Sequence, residues 1–510
     1  MDTKALRQKI LDLAIRGKLV PQDPNDEPAS VLLDRIREQK KQMVKEGKLK
    51  AKDIKNDSVI FVGEDSLHYE KFTDGSVKCI EEEIPFELPD GWSWARLGSI
   101  ANIVTGRLDA NAQTPDGEYP FFTCGEEVFK TDTYAFDCNA ILLGGNNATG
   151  DFKMHKFSGK FNAYQRVYVI TTFPEIDVDY LYNHIRFYLP KLQSQSIGSQ
   201  TRYLKLGMIT DLLVALPTFR EQKLVSSSCN KYLNYCTEIA SEKDDLKKYI
   251  KSAKSKILDL AIRGQLVPQD PADEPASVLL ERIRAEKEEL IKQGKIKRDK
   301  KESIIFKGED NSYYEKIGSE VHCIDDEIPF ELPNRWNWVR LKTICSKIID
   351  GSHNPPKGSD EKTPYIMASS RNICFDMVTD LENVRYLNDK DFEKENARSQ
   401  LAINDILLTT VATLGRSCIY NGVPENLCFQ RSVTVITTNI LPQYLKIFFD
   451  APYFQDFIIN NATGTAQKGF YLNQLEGVLV CVPPVEEQER LSAKIQQLLS
   501  SIQHIEKSLS

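Results

Sequence analysis

The chain has no run of eighteen apolar residues, so no segment is expected to cross a bilayer as a helix. Its start, Met1-Asp-Thr-Lys-Ala-Leu-Arg-Gln-Lys, lacks the apolar stretch of a signal peptide. The eleven cysteines include no Cys-x-x-Cys pair. That argues against zinc ligation or a disulfide framework and for reduced thiols in a cytoplasmic protein. No G-x-x-x-x-G-K-[ST] loop is present, so an ATP-driven motor is not expected. The six histidines are dispersed, none paired at i, i+4, and neither metal binding nor acid–base work is expected of them. The nearest approach to an adenine-methylating Asn-Pro-Pro-aromatic motif is His353-Asn-Pro-Pro-Lys357. It has lysine where a ring would stack on a flipped base, and no Gly-rich cofactor loop precedes it, so a plain turn is expected. Excess positive charge is missing too. Net charge is −7, with 11 basic and 12 acidic residues over 96–218 and 14 and 15 over 339–482. A whole-surface basic footprint for nucleic acid is excluded; a local one is not.

What the sequence does have is duplication. Over 221–264 apolar residues recur at spacings of four and three: Val225, Cys229, Tyr232, Cys236, Ile239, then Leu246, Ile250, Ala253, Ile257 and Leu260, with Lys243 the one charged position. This heptad seam predicts a coiled-coil helix of roughly 65 Å, too long for a compact core to cover, so it needs a partner. The chain supplies one in two pieces. Leu491, Ile495, Leu498, Ile502, Ile505 and Leu509 repeat the seam 266 residues on. Ile10-Leu-Asp-Leu-Ala-Ile-Arg-Gly17 recurs as Ile257-Leu-Asp-Leu-Ala-Ile-Arg-Gly264, 247 on. The two terminal pieces together rebuild the central helix. A ring with circular pseudo-two-fold symmetry is therefore expected, its ends close in space.

The halves share a frame between these helices. Lys18-Leu-Val-Pro-Gln-Asp-Pro matches Gln265-Leu-Val-Pro-Gln-Asp-Pro, each after a glycine in helix-capping position. A second helix opens at Asp26-Glu-Pro and again at Asp273-Glu-Pro, closing at Gly47 and Gly294. Alternating stretches at 58–62 and 67–72, and at 303–306 and 313–317, predict a small hairpin or meander. Ile84-Pro-Phe-Glu-Leu-Pro-Asp-Gly-Trp-Ser-Trp then matches Ile328-Pro-Phe-Glu-Leu-Pro-Asn-Arg-Trp-Asn-Trp. Beyond it agreement is sparse. Asn139-Ala-Ile-Leu-Leu matches Asn404-Asp-Ile-Leu-Leu, and Gln165-Arg166 matches Gln430-Arg431, both 265 apart; Leu213-Val-Ala-Leu-Pro matches Leu479-Val-Cys-Val-Pro, 266 apart. The offset at the tryptophans is 244, so the second half holds 21 extra residues between Trp336 and Asn404. Each divergent part mixes short strands with one helix, over 178–192 and 442–459. The expected fold is α+β: two mixed α/β domains, 84–218 and 328–484, separated by an antiparallel pair of long coiled-coil helices. The helical pieces are 1–20, 219–266 and 485–510, and the accessory helix-and-hairpin segments are 21–83 and 267–327.

In this order and duplication, the heptad pieces, the repeated Ile-Leu-Asp-Leu-Ala-Ile-Arg-Gly, the Leu-Pro-x-x-Trp-x-Trp and the Pro-x-x-x-Glu-Gln motifs resemble the specificity subunit of type I restriction-modification enzymes. The resemblance covers essentially the whole chain. It implies two target-recognition domains, each reading one half of a bipartite double-stranded DNA site from the major groove. It implies helices that dock two modification (methyltransferase) subunits, with restriction (motor and nuclease) subunits added for cleavage. S-adenosylmethionine, ATP and Mg would sit on those partners, leaving no catalytic residue, cofactor or metal in this chain. Docking would fall on the heptad positions Val225, Tyr232, Ile239, Leu246, Ile250, Ile257, Leu491, Leu498 and Ile505.

Base edges are read by arginine on guanine and by Asn or Gln on adenine, and phosphates by Lys, Arg, Ser, Thr and backbone amides. Candidates of these types in the first domain are Thr105, Gly106, Arg107, Asn146, Asn147, Gln165, Arg166, Ser199, Gln200, Thr201 and Arg202. In the second they are Gly351, Ser352, His353, Ser369, Ser370, Arg371, Thr413, Arg416, Gln430, Arg431 and the run 463–468 with Thr463, Thr465, Ala466, Gln467 and Lys468. Most lie in Gly-, Ser- or Asn-rich stretches, hence loops. A solvated loop fits such residues as well. The Gln-Arg pairs, which recur, fit a fold-supporting hydrogen bond equally. Two other functions stay open: a stand-alone DNA-modifying enzyme, and a protein scaffold that uses only the coiled coil.

Overall fold

The boundary between the two units of the chain, residues 1–243 and 244–510, falls inside the long helix Phe219–Ile262. The structure is a computed structural model and describes residues 2–509 apart from 52–53, 295–297, 299–301, 375 and 465–466.

In the first unit the N-terminal helix Thr3–Ile15 begins at Asp2, whose carboxylate accepts the Lys4 and Ala5 N–H groups at 2.9 and 3.1 Å. It stops where Gly17 turns left-handed at φ +64°, a place where a Cβ would also lie 2.6 Å from the Pro89 ring. Its apolar residues Ile10, Leu11 and Ala14 share a core with Val225, Cys229, Leu233 and Cys236 of the central helix Phe219–Ile262. Arg7 bonds Thr237 at one end, and Gly17 sits beside Trp92, which bonds Glu221, at the other. The two helices therefore run antiparallel. At 44 residues the central helix is about 66 Å long. Its buried seam uses Leu233, and Tyr232, which the heptad spacing puts inside, is 45% exposed. A 3.6-residue helix drifts off a strict heptad, and the aliphatic neighbour turns inward while the phenol keeps its hydroxyl wet.

The helix Ala29–Lys45 lays Leu32 and Ile36 into the main core. Strands Ser58–Val62, His68–Phe72 and Val77–Cys79 form an antiparallel meander. Strands Ser93–Arg96 and Leu213–Leu216 then pair antiparallel, so the chain enters and leaves the next domain side by side. Arg96 ties this neck to Glu70 of the meander and to Glu83. Beyond the neck lies a six-stranded sheet in the order Ala101–Thr105, Val167–Thr172, Phe136–Gly144, Met154–Ala163, Tyr119–Phe122, Val128–Thr131. Period-two alternation divides its faces. Ile141 and Leu143 pack with Leu181, Ile185 and Leu192 of the helix Val178–Gln195, while Ala140 and Leu142 pack with Phe122, Phe161 and Val169.

The second unit repeats the plan. Its part of the central helix runs antiparallel to the C-terminal helix Val485–Leu509: Lys254 bonds Glu506 at 2.8 Å, and Gln269, past the helix end, bonds Glu487 at 2.6 Å. Leu491 and Ile495 share a core with Ala261 and Ile262. The helix Ala276–Lys292 and the meander Ser303–Lys307, Tyr313–Ile317, Glu320–Cys323 follow. The neck is Asn337–Arg340 paired with Leu479–Val482, and Arg340 bonds Glu315 and Glu327. The sheet differs. A four-stranded part, Cys345–Asp350, Val433–Thr438, Ile406–Thr409, Ser417–Ile419, is separate from a three-stranded part, Arg385–Leu387, Tyr365–Ala368, Leu427–Phe429. The single helix expected over 442–459 is two, Pro442–Asp450 and Pro452–Asn460. Pro452 has no N–H to continue the ladder and holds Ala451 extended. Among the described residues no helix is long and apolar enough to cross a membrane.

Candidate nucleic-acid interface

The first-unit candidates are tied into one rim by backbone hydrogen bonds. Gly106 follows the strand Ala101–Thr105 and donates its N–H to Val167 O at 3.0 Å; Arg107 donates to Ala163 O at 3.2 Å, and Gln165 to Leu108 O at 2.9 Å. A Cβ on Gly106 would lie 2.1 Å from Ala163 O, so only glycine lets the two backbones approach. Val167 N–H closes the turn on Tyr164 O at 2.8 Å. The Arg166 carbonyl accepts Gly145 N–H at 2.7 Å, and the Gly145 carbonyl accepts Leu204 N–H at 2.8 Å. Asn146 and Asn147 pair with Tyr203 and Arg202. Arg202 stands at the end of a hairpin that turns on Gly198, φ +107°, with Ser199, Gln200 and Thr201 exposed at its tip. Thr105, Arg107, Gln165 and Arg166 are exposed as well, whereas Gly106 is buried. The Gln165 amide donates to Asp109 at 2.9 Å.

The second unit builds the same rim from different side chains. Gly351 N–H donates to Val433 O at 3.0 Å, Ser352 to Phe429 O at 2.7 Å, and Arg431 to Ser352 O at 2.9 Å. A Cβ on Gly351 would meet Phe429 O at 2.3 Å. Thr410 N–H donates to Ser432 O at 3.0 Å, and Phe470 N–H to Thr410 O at 2.8 Å. The hairpin recurs as Thr463 paired with Gly469, turning on Gly464 at φ +114°, with Gln467 and Lys468 exposed. Thr465 and Ala466 lie outside the described residues. Thr413 Oγ1 donates to Ser370 O at 3.4 Å, and Ser370 N–H donates to Ser432 Oγ at 3.0 Å. The exposed Arg416 reaches Cys374 Sγ at 3.0 Å. His353 is exposed, 3.5 Å from Asp350, whose carboxyl burial pushes above its ordinary range.

These bonds correct the sequence match between the Gln-Arg pairs. Arg166 and Ser432 occupy the same place, as do Gln165 and Arg431, and Tyr164 and Gln430, all 266 apart rather than 265. The pairs are one residue out of register and hold different positions on the turn. Val167-x-Val-Ile-Thr-Thr and Val433-x-Val-Ile-Thr-Thr, also 266 apart, carry the signal that finds this. The hairpins obey the same offset, which brings Arg202 and Lys468 into equivalent positions. Ser352 and Ser370 are buried, so with Gly106 and Gly351 they build the rim rather than project from it. Sequence reasoning missed Arg385 and Asn383, which join Ser369, Arg371 and Gln430 around an open polar pocket of about 440 Å³.

Of the heptad positions, Val225, Ile250 and Leu491 are buried, and Ile239, Ile257 and Leu498 are half-buried. Tyr232, Leu246 and Ile505 are exposed. Burial pushes the Cys345, Cys418, Cys428 and Cys481 thiols up to about 12, which makes them poor nucleophiles.

The family described as the type I restriction modification DNA specificity domain matches residues 89–248 and 333–510. The chain is 28% identical to the type I restriction enzyme EcoDI specificity subunit of Escherichia coli, over 83% of this chain and 85% of that one. It is 27% identical to the EcoEI specificity subunit of the same organism, over 97% of this chain and 88% of that one. A solved chain from work on complex assembly and conformational transition of the type I R-M system superposes with a TM-score of 0.51 at 14% identity. That superposition covers 83% of this chain and 94% of the other.

Proposed function

The chain belongs to the DNA specificity family of type I restriction-modification systems, and on that premise we propose that each unit reads one half of a bipartite duplex site. It is a specificity subunit, which selects the DNA sequence and does no chemistry itself. It works with modification and restriction subunits on DNA. Two modification subunits dock on the exposed helix positions around Tyr232, Leu246 and Ile505. S-adenosylmethionine, ATP and Mg belong to those partners, and the assembly is cytoplasmic.

One observation carries the reading: the same backbone rim occurs in both units and presents different side chains. A scaffold that only bound protein would have no use for two divergent rims on one frame. Exposed arginines, glutamines and asparagines suit base edges, and lysine, serine and threonine suit phosphates. With acidic and basic residues balanced in both domains, the salt-dependent phosphate contribution is small. The isolated chain therefore binds DNA weakly, and its partners supply the rest by enclosing the duplex.

The test exchanges residues 92–216 for the matching segment of a relative with another target and maps methylated sites in cells. One half of the bipartite site is expected to change while the other half stays. Change in both halves, or in neither, would contradict the assignment of one half-site to each unit. A purified single chain that transfers methyl groups from S-adenosylmethionine would favour the stand-alone enzyme instead.

A further inference from the structure

The second unit carries a polar pocket beside its rim, lined in part by a stretch of chain much longer than its equivalent in the first unit. In both units the strand before it accepts the first N–H of the rim turn: Tyr164 N–H donates to Phe122 O, and Gln430 N–H to Ala368 O, each at 2.9 Å. After that strand the first unit crosses to Val128–Thr131 through 123–127, whereas the second crosses to Arg385–Leu387 through 369–384. The longer connection supplies one wall of the 440 Å³ pocket, with Ser369, Arg371 and Asn383 on it. Met367, Arg385 and Gln430 face it from the strands and the rim. The wall is braced. Asn372 donates to the Thr379 and Asp380 carbonyls at 3.1 and 3.0 Å and accepts Ser369 N–H at 3.0 Å. Register braces the other side, since Met367 pairs with Arg385 on one flank and Cys428 on the other.

A DNA backbone is the same at both halves of a site, and the bases are not. Groups that hold phosphates have reason to recur in both units. Groups that read bases have none, and the 369–384 connection that carries Arg371 is matched in the first unit only by the short 123–127. Resting on the reading of this chain as a two-part DNA reader, we propose that Arg371, Arg385 and Gln430 form a base-reading site for purine edges. It serves the half-site taken by the second unit. A guanidinium fork matches the two acceptors of guanine, O6 and N7, and a carboxamide matches the N7 acceptor and N6 donor of adenine. A pyrimidine offers neither pair.

The experiment uses the full complex of this chain with its modification and restriction subunits. A plasmid library randomised across both half-sites is methylated and sequenced for wild type, Arg371→Ala, Arg385→Ala, Gln430→Ala and Arg371→Lys, at two salt concentrations. Thermal unfolding checks each fold. Each alanine variant is expected to lose about ten-fold or more of its discrimination at one purine position, with the other half-site read as in wild type. Arg371→Lys keeps the charge without the fork and is expected to relax the same position, so it decides the matter even if Arg385→Ala does not fold. Uniform loss over all sequences, a salt slope reduced by about one and rescue by lysine would mark a phosphate clamp and overturn the proposal. Unchanged specificity in folded variants would overturn it too. A wild-type complex with no bipartite preference would overturn the underlying reading instead.

Discussion

Trp92 donates its indole N–H to Glu221 Oε2 at 2.9 Å, with both residues buried. The contact recurs between Trp336 and Glu487, again at 2.9 Å. It joins the tryptophan at the start of each recognition domain to the first turn of the helix that follows that domain. The next residue extends the junction: Gln222 accepts Asp177 N–H at 2.8 Å, and Gln488 accepts Leu441 N–H at 3.0 Å. The Leu-Pro-x-x-Trp and Pro-x-x-x-Glu-Gln motifs are thus two sides of one contact.

The junction has a pH signature. Burial holds the Glu221 carboxyl above its ordinary value of 4.5; the Trp92 hydrogen bond opposes the shift and the Asp26 charge adds to it. A carboxyl raised in the fold keeps its proton better folded than unfolded. Its contribution to stability is present below pH 4.5 and is lost as pH rises through the raised value. Glu221→Gln removes the ionisation, so its unfolding midpoint is expected to gain on wild type between pH 4 and 7. Parallel midpoint curves across that range would show that folding leaves the Glu221 carboxyl at its unfolded pKa and would overturn the raised value.

The helix seam separates two neighbours. Leu233 is 4% exposed and Tyr232 is 45% exposed. In urea unfolding, Leu233→Ala should cost about 2–5 kcal/mol, and Tyr232→Ala should stay within about 0.5 kcal/mol. The reverse order would restore the strict heptad.

Two glycines test the rim. A Cβ on Gly106 meets a carbonyl oxygen at 2.1 Å, and one on Gly47, φ +74°, meets nothing within 4 Å. Gly47→Ala is expected to cost about 1–2 kcal/mol from its left-handed backbone alone. Gly106→Ala should cost about 3 kcal/mol or more, since backbone cannot yield as a side chain does, and it should also impair methylation at the half-site of the first unit. Full activity in Gly106→Ala would mean that the rim does not position the reader.

We propose that the helix pair sets the spacing between half-sites. Seven residues inserted both in the central helix and in the C-terminal helix add about 10.5 Å, or about 3 bp of duplex. Methylation mapping should find the tolerated spacer longer by that amount. An unchanged spacer would overturn that proposal.

Duplication, the order of elements and the helical seams were legible because they are written in near-identity and local periodicity. Hydrophobic spacing reports a helix face whatever it packs on, and glycine before proline reports a helix end. The same local signals were a residue wrong where geometry mattered, at Tyr232 against Leu233 and at the continuous helix over 442–459. Composition pointed to loops that the fold gathers on each rim, without ranking their members.

The sequence by itself determined that two copies of one frame carry divergent inserts. The tertiary structure alone decided which residues of the inserts stand at equivalent places. Arg166 matches Ser432 because both carbonyls accept the N–H at the end of the same strand. Arg202 matches Lys468 because both hairpins turn on a left-handed glycine. Ser352 and Ser370 are buried and Arg371 is exposed because hydrogen bonds from residues about 60–80 positions away fold the chain over the serines. Those partners are far apart in the chain, and no local spacing encodes a contact between backbones that meet only when the sheet closes.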